Sequence, residues 1–113
     1  MQKNKNIVGE ERAPGVIWIT IDRAQKHNAL ARSVLSGIAD AITVESNRRE
    51  TRVIVLTGAG DRFFAAGGDL IELASVRDEA AVIAMTDAAR VALDTVRNCA
   101  VPVLAYLNGD AIG

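Results

Sequence analysis

The apolar positions of the chain follow two periods, and the switches between them divide it into elements. Residues 16–21 (VIWITI) form a β-branched run after Pro14 and Gly15, which predicts a strand with at least one buried face, ended by Asp22 and Arg23. A polar connector over 23–28 brings Asn28 to the position before an amphipathic segment, where its side chain is expected to cap helical N–H groups. Leu30, Val34, Leu35, Ile38 and Ile42 then recur at intervals of three and four, predicting a helix that closes near Asn47, with a solvated charged turn over 48–52. Residues 53–57 (VIVLT) read as a continuous apolar strand of the kind covered on both faces, followed by a turn over 58–62 and a loop over 63–69.

Residues 70–74 give one or two helical turns, and an alanine-rich stretch over 80–98 predicts a second long helix with Ile83, Val91, Leu93 and Val96 as its larger buried positions. Residues 103–107 form another strand. Asn108-Gly109 turns the chain again, and Asp110 is placed to cap a further helix. Strands alternating with helices predict an α/β fold with parallel strands joined by right-handed crossovers. The last strand is not followed by a covering crossover, so exposed apolar surface is expected there.

Composition narrows the class. The chain has 113 residues, half of them hydrophobic, which suits one small globular domain with no internal boundary, preceded by a polar tail over 1–6. A net charge of −1 and four scattered aromatics offer nucleic acid neither counter-charge nor stacking platform. The lone Cys99 excludes an internal disulfide and a multi-cysteine metal cluster, so no metal is expected and a reducing cytoplasm is the expected compartment. No run is long and apolar enough for a signal peptide or a membrane span.

The candidate chemistry lies in the glycines. Gly58-Ala59-Gly60 follows a strand as a dinucleotide fingerprint would, but Phe63 occupies the third glycine position, and no Lys-Ser or Lys-Thr pair follows for a P-loop. Gly67-Gly68-Asp69 opens a helix. Successive glycines can turn a backbone N–H toward a cleft while the Asp satisfies the orphan donors of the first turn. That spacing leaves two readings open, a structural glycine turn and an anion or oxyanion site. His27, beside Lys26 in the polar connector, reads as a solvated loop residue, and Cys99 reads as a small buried residue. Asp69, Glu72, Asp78 and Glu79 belong to helix starts and solvated faces.

Three stretches together resemble a known family. VIVLTGAGDRFFAAGGDLIEL (53–73) resembles the signature of the enoyl-CoA hydratase/isomerase (crotonase) family: an apolar strand, Thr-Gly-x-Gly, a Phe-containing turn, then Ala-Gly-(Gly/Ala)-Asp-(Leu/Ile). IDRAQKHNAL (21–30) is similar to its early Arg-Pro and Asn-Ala-Leu segment, with Ala24 where proline is common, and VPVLAYLNGDAIG (101–113) is similar to the start of its second glycine-rich segment.

The resemblance implies a crotonase-like spiral of ββα turns in place of an ordinary parallel sheet, truncated before the second half of that fold. It implies an acyl-CoA thioester as partner, coenzyme A arriving as part of the substrate with no separate cofactor, and a homo-oligomer, trimer or hexamer. Position by position it makes Gly68 the first oxyanion-hole N–H and Ala66 the residue whose carbonyl contacts adenine. Asp69, Leu70 and Ile71 line the CoA and acyl pocket, Ala29 and Leu30 lie on a second CoA-contacting edge, and Lys26 is placed for the CoA phosphates. The family's second donor matches a position two residues past Gly113 and its acid/base glutamates lie further on, so the 113-residue chain is expected to be inactive alone, and a non-catalytic binding module is the alternative.

Overall fold

The computed structural model describes residues 4–113, so the first half of the expected polar tail lies outside the described residues. In chain order the elements are β1 (Ile7–Ala13), β2 (Val16–Ile21), a 3-10 turn (Ala24–Lys26), α1 (Arg32–Ser46), β3 (Val53–Gly58), β4 (Phe63–Ala65), α2 (Leu70–Ala74), α3 (Glu79–Arg97), β5 (Val103–Ala105) and β6 (Asp110–Ala111). The main sheet has the order β1-β2-β3-β5, with β1 antiparallel to β2 and the other pairings parallel. A second, two-stranded sheet pairs β4 with β6 in parallel, and Leu30 makes an isolated parallel bridge to Gly68 in the same region.

Each of the first two passes of the chain lays one strand in the main sheet, one extended segment in the second layer and then a helix, and the third lays the two strands. The passes are β2, Leu30 and α1; β3, β4 and the α2–α3 pair; and β5 with β6. This is the partial spiral of ββα turns, and it replaces the parallel sheet with right-handed crossovers that alternation alone predicts.

The core forms where the sequence pattern is strictest. Along β2 the burial alternates, and Ile17, Ile19 and Ile21 point with Ile54 of β3 into a cluster closed by Val34, Ile38 and Ile42 of α1 and by Ile7. Burying a side chain of that size contributes about 1.5–3 kcal/mol. The predicted helix ending near Asn47 is observed, ending at Ser46 with Asn47 as its C-cap.

Several expectations are corrected. β1 was not among the expected elements, since it carries no apolar alternation: only Ile7 of its seven residues is buried, and an edge strand needs only its backbone paired. Asn28 does not cap α1. The capping position is Ala31, which makes no side-chain cap bond, and Asn28 is instead fully buried with φ 54°.

On α3 the larger side chains are mostly outside: Ile83, Val91 and Leu93 are exposed, and only Val96 packs partly against the core, while Ala92 is buried. The inward positions of α3 are taken largely by alanines, with Ala84, Ala88 and Ala89 half-buried beside Ala92. Asp110 does not start a helix but begins β6, opposite Phe63, and residues 63–65 are a strand rather than loop. The strand expected over 103–107 stops at Ala105. Leu104, Tyr106, Leu107 and Ile112 are exposed, in line with the apolar surface expected around the last strand. Among the described residues no helix is long and apolar enough to cross a membrane, and no cluster of three or more His, Cys, Asp or Glu is placed to hold a metal.

Candidate functional site

The turn that leaves β3 is held by two asparagines. Asn28 Nδ2 donates to Ala59 O at 3.1 Å and to Phe63 O at 2.8 Å, and its Oδ1 accepts from the Arg23 backbone N–H at 3.0 Å. From the other side, Asn108 Oδ1 accepts from Gly58 N–H at 3.0 Å, while its Nδ2 donates to Gly60 O at 2.9 Å and to Phe63 O at 3.0 Å. Gly58 sits between them without room for a side chain: a Cβ there would lie 2.6 Å from Phe64 O and 2.7 Å from Asn28 Nδ2. These bonds satisfy the buried backbone groups of an irregular turn and aim β4 toward the second layer.

Beyond β4 the chain enters the glycine loop. Gly67 is buried with φ +80°, a left-handed conformation that a side chain would strain, and a Cβ there would stand 3.0 Å from Ile112 O. Its carbonyl accepts from Leu30 N–H at 2.7 Å. Gly68 is exposed, and among the described residues its N–H has no hydrogen-bond acceptor.

Asp69 then caps α2, its Oδ1 accepting from Glu72 N–H at 3.0 Å. Its Oδ2 meets Arg23 Nη1 at 2.8 Å in an ion pair whose side chains are only 17% and 11% exposed. The Glu72 N–H, and after it the Arg23 guanidinium, hold the Asp69 carboxyl below the usual carboxylate range. The same Arg23 Nη1 donates to Ala29 O at 3.2 Å, and Arg32 N–H donates to Glu72 Oε1 at 2.9 Å. Residues 23–32 and 66–72 are thus tied side by side.

Between them lies a cleft of about 250 Å³. It is lined by Lys26 and Ala29 from one wall and by Ala66, Gly68, Asp69, Leu70 and Ile71 from the other, with Gln25 and His27 at its margin. Of the residues expected at the site, the structure leaves out Leu30 alone: it is half-buried against the core and contributes its backbone N–H to Gly67. Leu70 and Ile71 are 80% and 73% exposed, an unusual outlay of apolar surface at a cleft edge. His27 is exposed, as expected, with its ring 4.7 Å from that of Phe63.

A larger groove of about 430 Å³ between the ends of α1 and α3, beside Cys99, carries none of the expected residues. Sequence reasoning missed Arg23, read as a strand terminator, and the structural roles of Asn28 and Asn108. The Asn-Gly pair marked a turn but not its long-range partners.

Comparison with known proteins gives a consistent match. The family model described as enoyl-CoA hydratase/isomerase matches residues 11–113. A (7aS)-7a-methyl-1,5-dioxo-2,3,5,6,7,7a-hexahydro-1H-indene-carboxyl-CoA hydrolase of Mycobacterium tuberculosis is 33% identical over 100 residues, 88% of this chain and 40% of that protein. Carboxymethylproline synthase of Pectobacterium carotovorum is 30% identical over 107 residues, 95% of this chain and 43% of that one. The crystal structure of an enoyl-CoA hydratase from Bacillus anthracis superposes with a TM-score of 0.86 at 32% identity, covering 93% of this chain and 40% of that one. The chain spans about 40% of the length of these relatives, whose names denote a hydrolase, a synthase and a hydratase.

Proposed function

Because the chain belongs to the enoyl-CoA hydratase/isomerase family, we propose that its cleft binds an acyl-CoA thioester, with the Gly68 N–H donating to the thioester oxygen. The observation that carries this reading is that exposed Gly68 has an N–H without an acceptor among the described residues, beside a cleft whose neighbouring backbone is fixed. A donor held in place before the ligand arrives loses little on binding and favours the form of the ligand with negative oxygen. Lys26 brings a positive charge for the CoA phosphates, the Ala66 carbonyl accepts from the adenine, and Leu70 and Ile71 give apolar surface to the pantetheine and acyl chain. Ala29 and Asp69 complete the walls, and Leu30 holds Gly67 in register. Coenzyme A enters as part of the substrate, with no separate cofactor.

Hydration or isomerisation of an enoyl-CoA also needs a second donor to the oxyanion and a group that moves the proton. Of the titratable side chains lining the cleft, Asp69 is engaged by Arg23 and the Glu72 N–H, which leaves Lys26 and the exposed His27. Catalysis in this reading requires a segment equivalent to the further length of the relatives. One oxyanion donor is worth about 10²–10³ in rate and a general acid or base about 10²–10⁴.

The engagement of Asp69 favours a second reading, a non-catalytic acyl-CoA binding module. A homo-oligomer, trimer or hexamer, and a cytoplasmic setting belong to the proposal and are read by light scattering and by fractionation of the producing cells. Titration calorimetry with crotonyl-CoA, run beside a crotonyl-CoA hydration assay, tests the whole. The 113-residue chain is expected to bind saturably without turnover. Turnover would remove the binding-module reading, and absence of binding would remove the proposal.

A further inference from the structure

The Arg23–Asp69 pair poses a question that the fold alone does not answer. Asn caps a helix as well as Asp does, and would place no negative charge beside a donor offered to an anion. Asp69 nevertheless follows Gly68 directly, and its carboxylate lines the cleft. A bare carboxylate in that position opposes every negatively charged group that enters, and partial burial strengthens the opposition. The guanidinium of Arg23 meets that carboxylate at 2.8 Å, and the same nitrogen donates to Ala29 O on the opposite wall at 3.2 Å. One side chain therefore contacts both walls of the cleft and carries the charge that offsets Asp69.

We infer that Arg23 is a positioning residue of the cleft: it neutralises Asp69, so that an anionic ligand can reach the Gly68 N–H. This rests on the reading of the cleft as an acyl-CoA site. A ligand bearing phosphates and a polarised thioester oxygen is sensitive to the charge at position 69, whereas a purely mechanical staple would act through geometry alone. Lysine keeps the charge but presents a single point of donation in place of the planar fork, so it restores only part of the neutralisation.

The test is calorimetric titration with crotonyl-CoA on the wild-type chain, Arg23→Gln, Arg23→Lys, Asp69→Asn and the double variant Arg23→Gln/Asp69→Asn, each checked for folding by circular dichroism. Arg23→Gln is expected to weaken binding on the order of tenfold or more, Arg23→Lys to recover part of the loss, and the double variant to return to within about threefold of wild type, since no bare carboxylate remains. A double variant as weak as Arg23→Gln, or an Arg23→Gln chain that binds like wild type, overturns the inference while leaving the site reading intact. A wild-type chain that does not bind overturns both. Should Arg23→Gln fail to fold, the comparison passes to Asp69→Asn against the double variant. The two are expected to agree within about threefold, and a larger gap overturns the charge-neutralising role.

Discussion

Asn28 and Asn108 lie 80 positions apart in sequence, yet their side-chain amides donate to one acceptor, Phe63 O, at 2.8 and 3.0 Å. The shared carbonyl closes the turn between β3 and β4 from both sides, and that turn carries the chain into the glycine loop. Asn28, which donates two bonds and accepts one, is fully buried, whereas Asn108 is half-buried. Asn28→Ala is expected to cost about 2–4 kcal/mol, because it strands buried carbonyls and strains a left-handed residue, and Asn108→Ala about 1–2 kcal/mol. Since both act on one oxygen, the double variant is expected to depart from additivity by at least about 0.5 kcal/mol. Urea unfolding of the four chains reads this directly; strict additivity would contradict the shared-acceptor account.

The position of Asn28 also shows what the sequence hides. Its place before an apolar helical run is the usual address of a capping residue, and a local rule assigns it there. The structure uses it across 31 and 35 positions, to Ala59 and Phe63. By contrast, the alternation of Ile17, Ile19 and Ile21 and the spacing of Val34, Ile38 and Ile42 were legible, because burial of one face imposes its period on the residues themselves. β1 was not legible, since an edge strand is fixed by backbone pairing, which leaves little trace in side-chain type. The outward-facing Ile83, Val91 and Leu93 misled for the opposite reason: their types suggest burial that no described segment provides.

The candidate site was legible in proportion to its glycines. Gly67-Gly68-Asp69 announced a turn and a cap, and the cap is present. The cleft that gathers Lys26 and Ala29 opposite Ala66–Ile71 depends on the pairing of Leu30 with the loop, a contact between distant segments for which only the family resemblance gave a signal.

Asp69 predicts a pH dependence with a definite sign. Its carboxyl is held below the ordinary value by the Glu72 N–H and by Arg23, so the unfolded chain takes up the proton first as pH falls. The stabilisation is fully present above the ordinary Asp value of about 4 and is lost as pH falls through the depressed folded value. Thermal melts between pH 7 and pH 2.5 should show a steeper acid decline for the wild-type chain than for Asp69→Asn, which keeps a cap but cannot titrate. Parallel declines would contradict the assignment.

Thr51 offers a gain in place of a loss. Its Oγ1 is buried without a hydrogen-bond partner among the described residues, and an unpaired buried hydroxyl carries a desolvation cost. Thr51→Val keeps the shape and removes the orphan hydroxyl, and is expected to stabilise the chain by about 1 kcal/mol, which corresponds to a rise of roughly 4–8 °C in Tm. Differential scanning calorimetry gives the answer, and a fall in Tm would show that the hydroxyl is satisfied by water.

The central claim, that Gly68 offers its N–H to an acyl-CoA thioester, is tested most directly by ¹⁵N NMR of the labelled chain titrated with crotonyl-CoA. Gly68 is predicted to show a large saturable amide shift, accompanied by Ala29, Ala66 and Asp69, while residues of the α1–α3 groove such as Thr43 and Cys99 stay in place. A titration that moves the groove and leaves the Gly68 amide unchanged would contradict it.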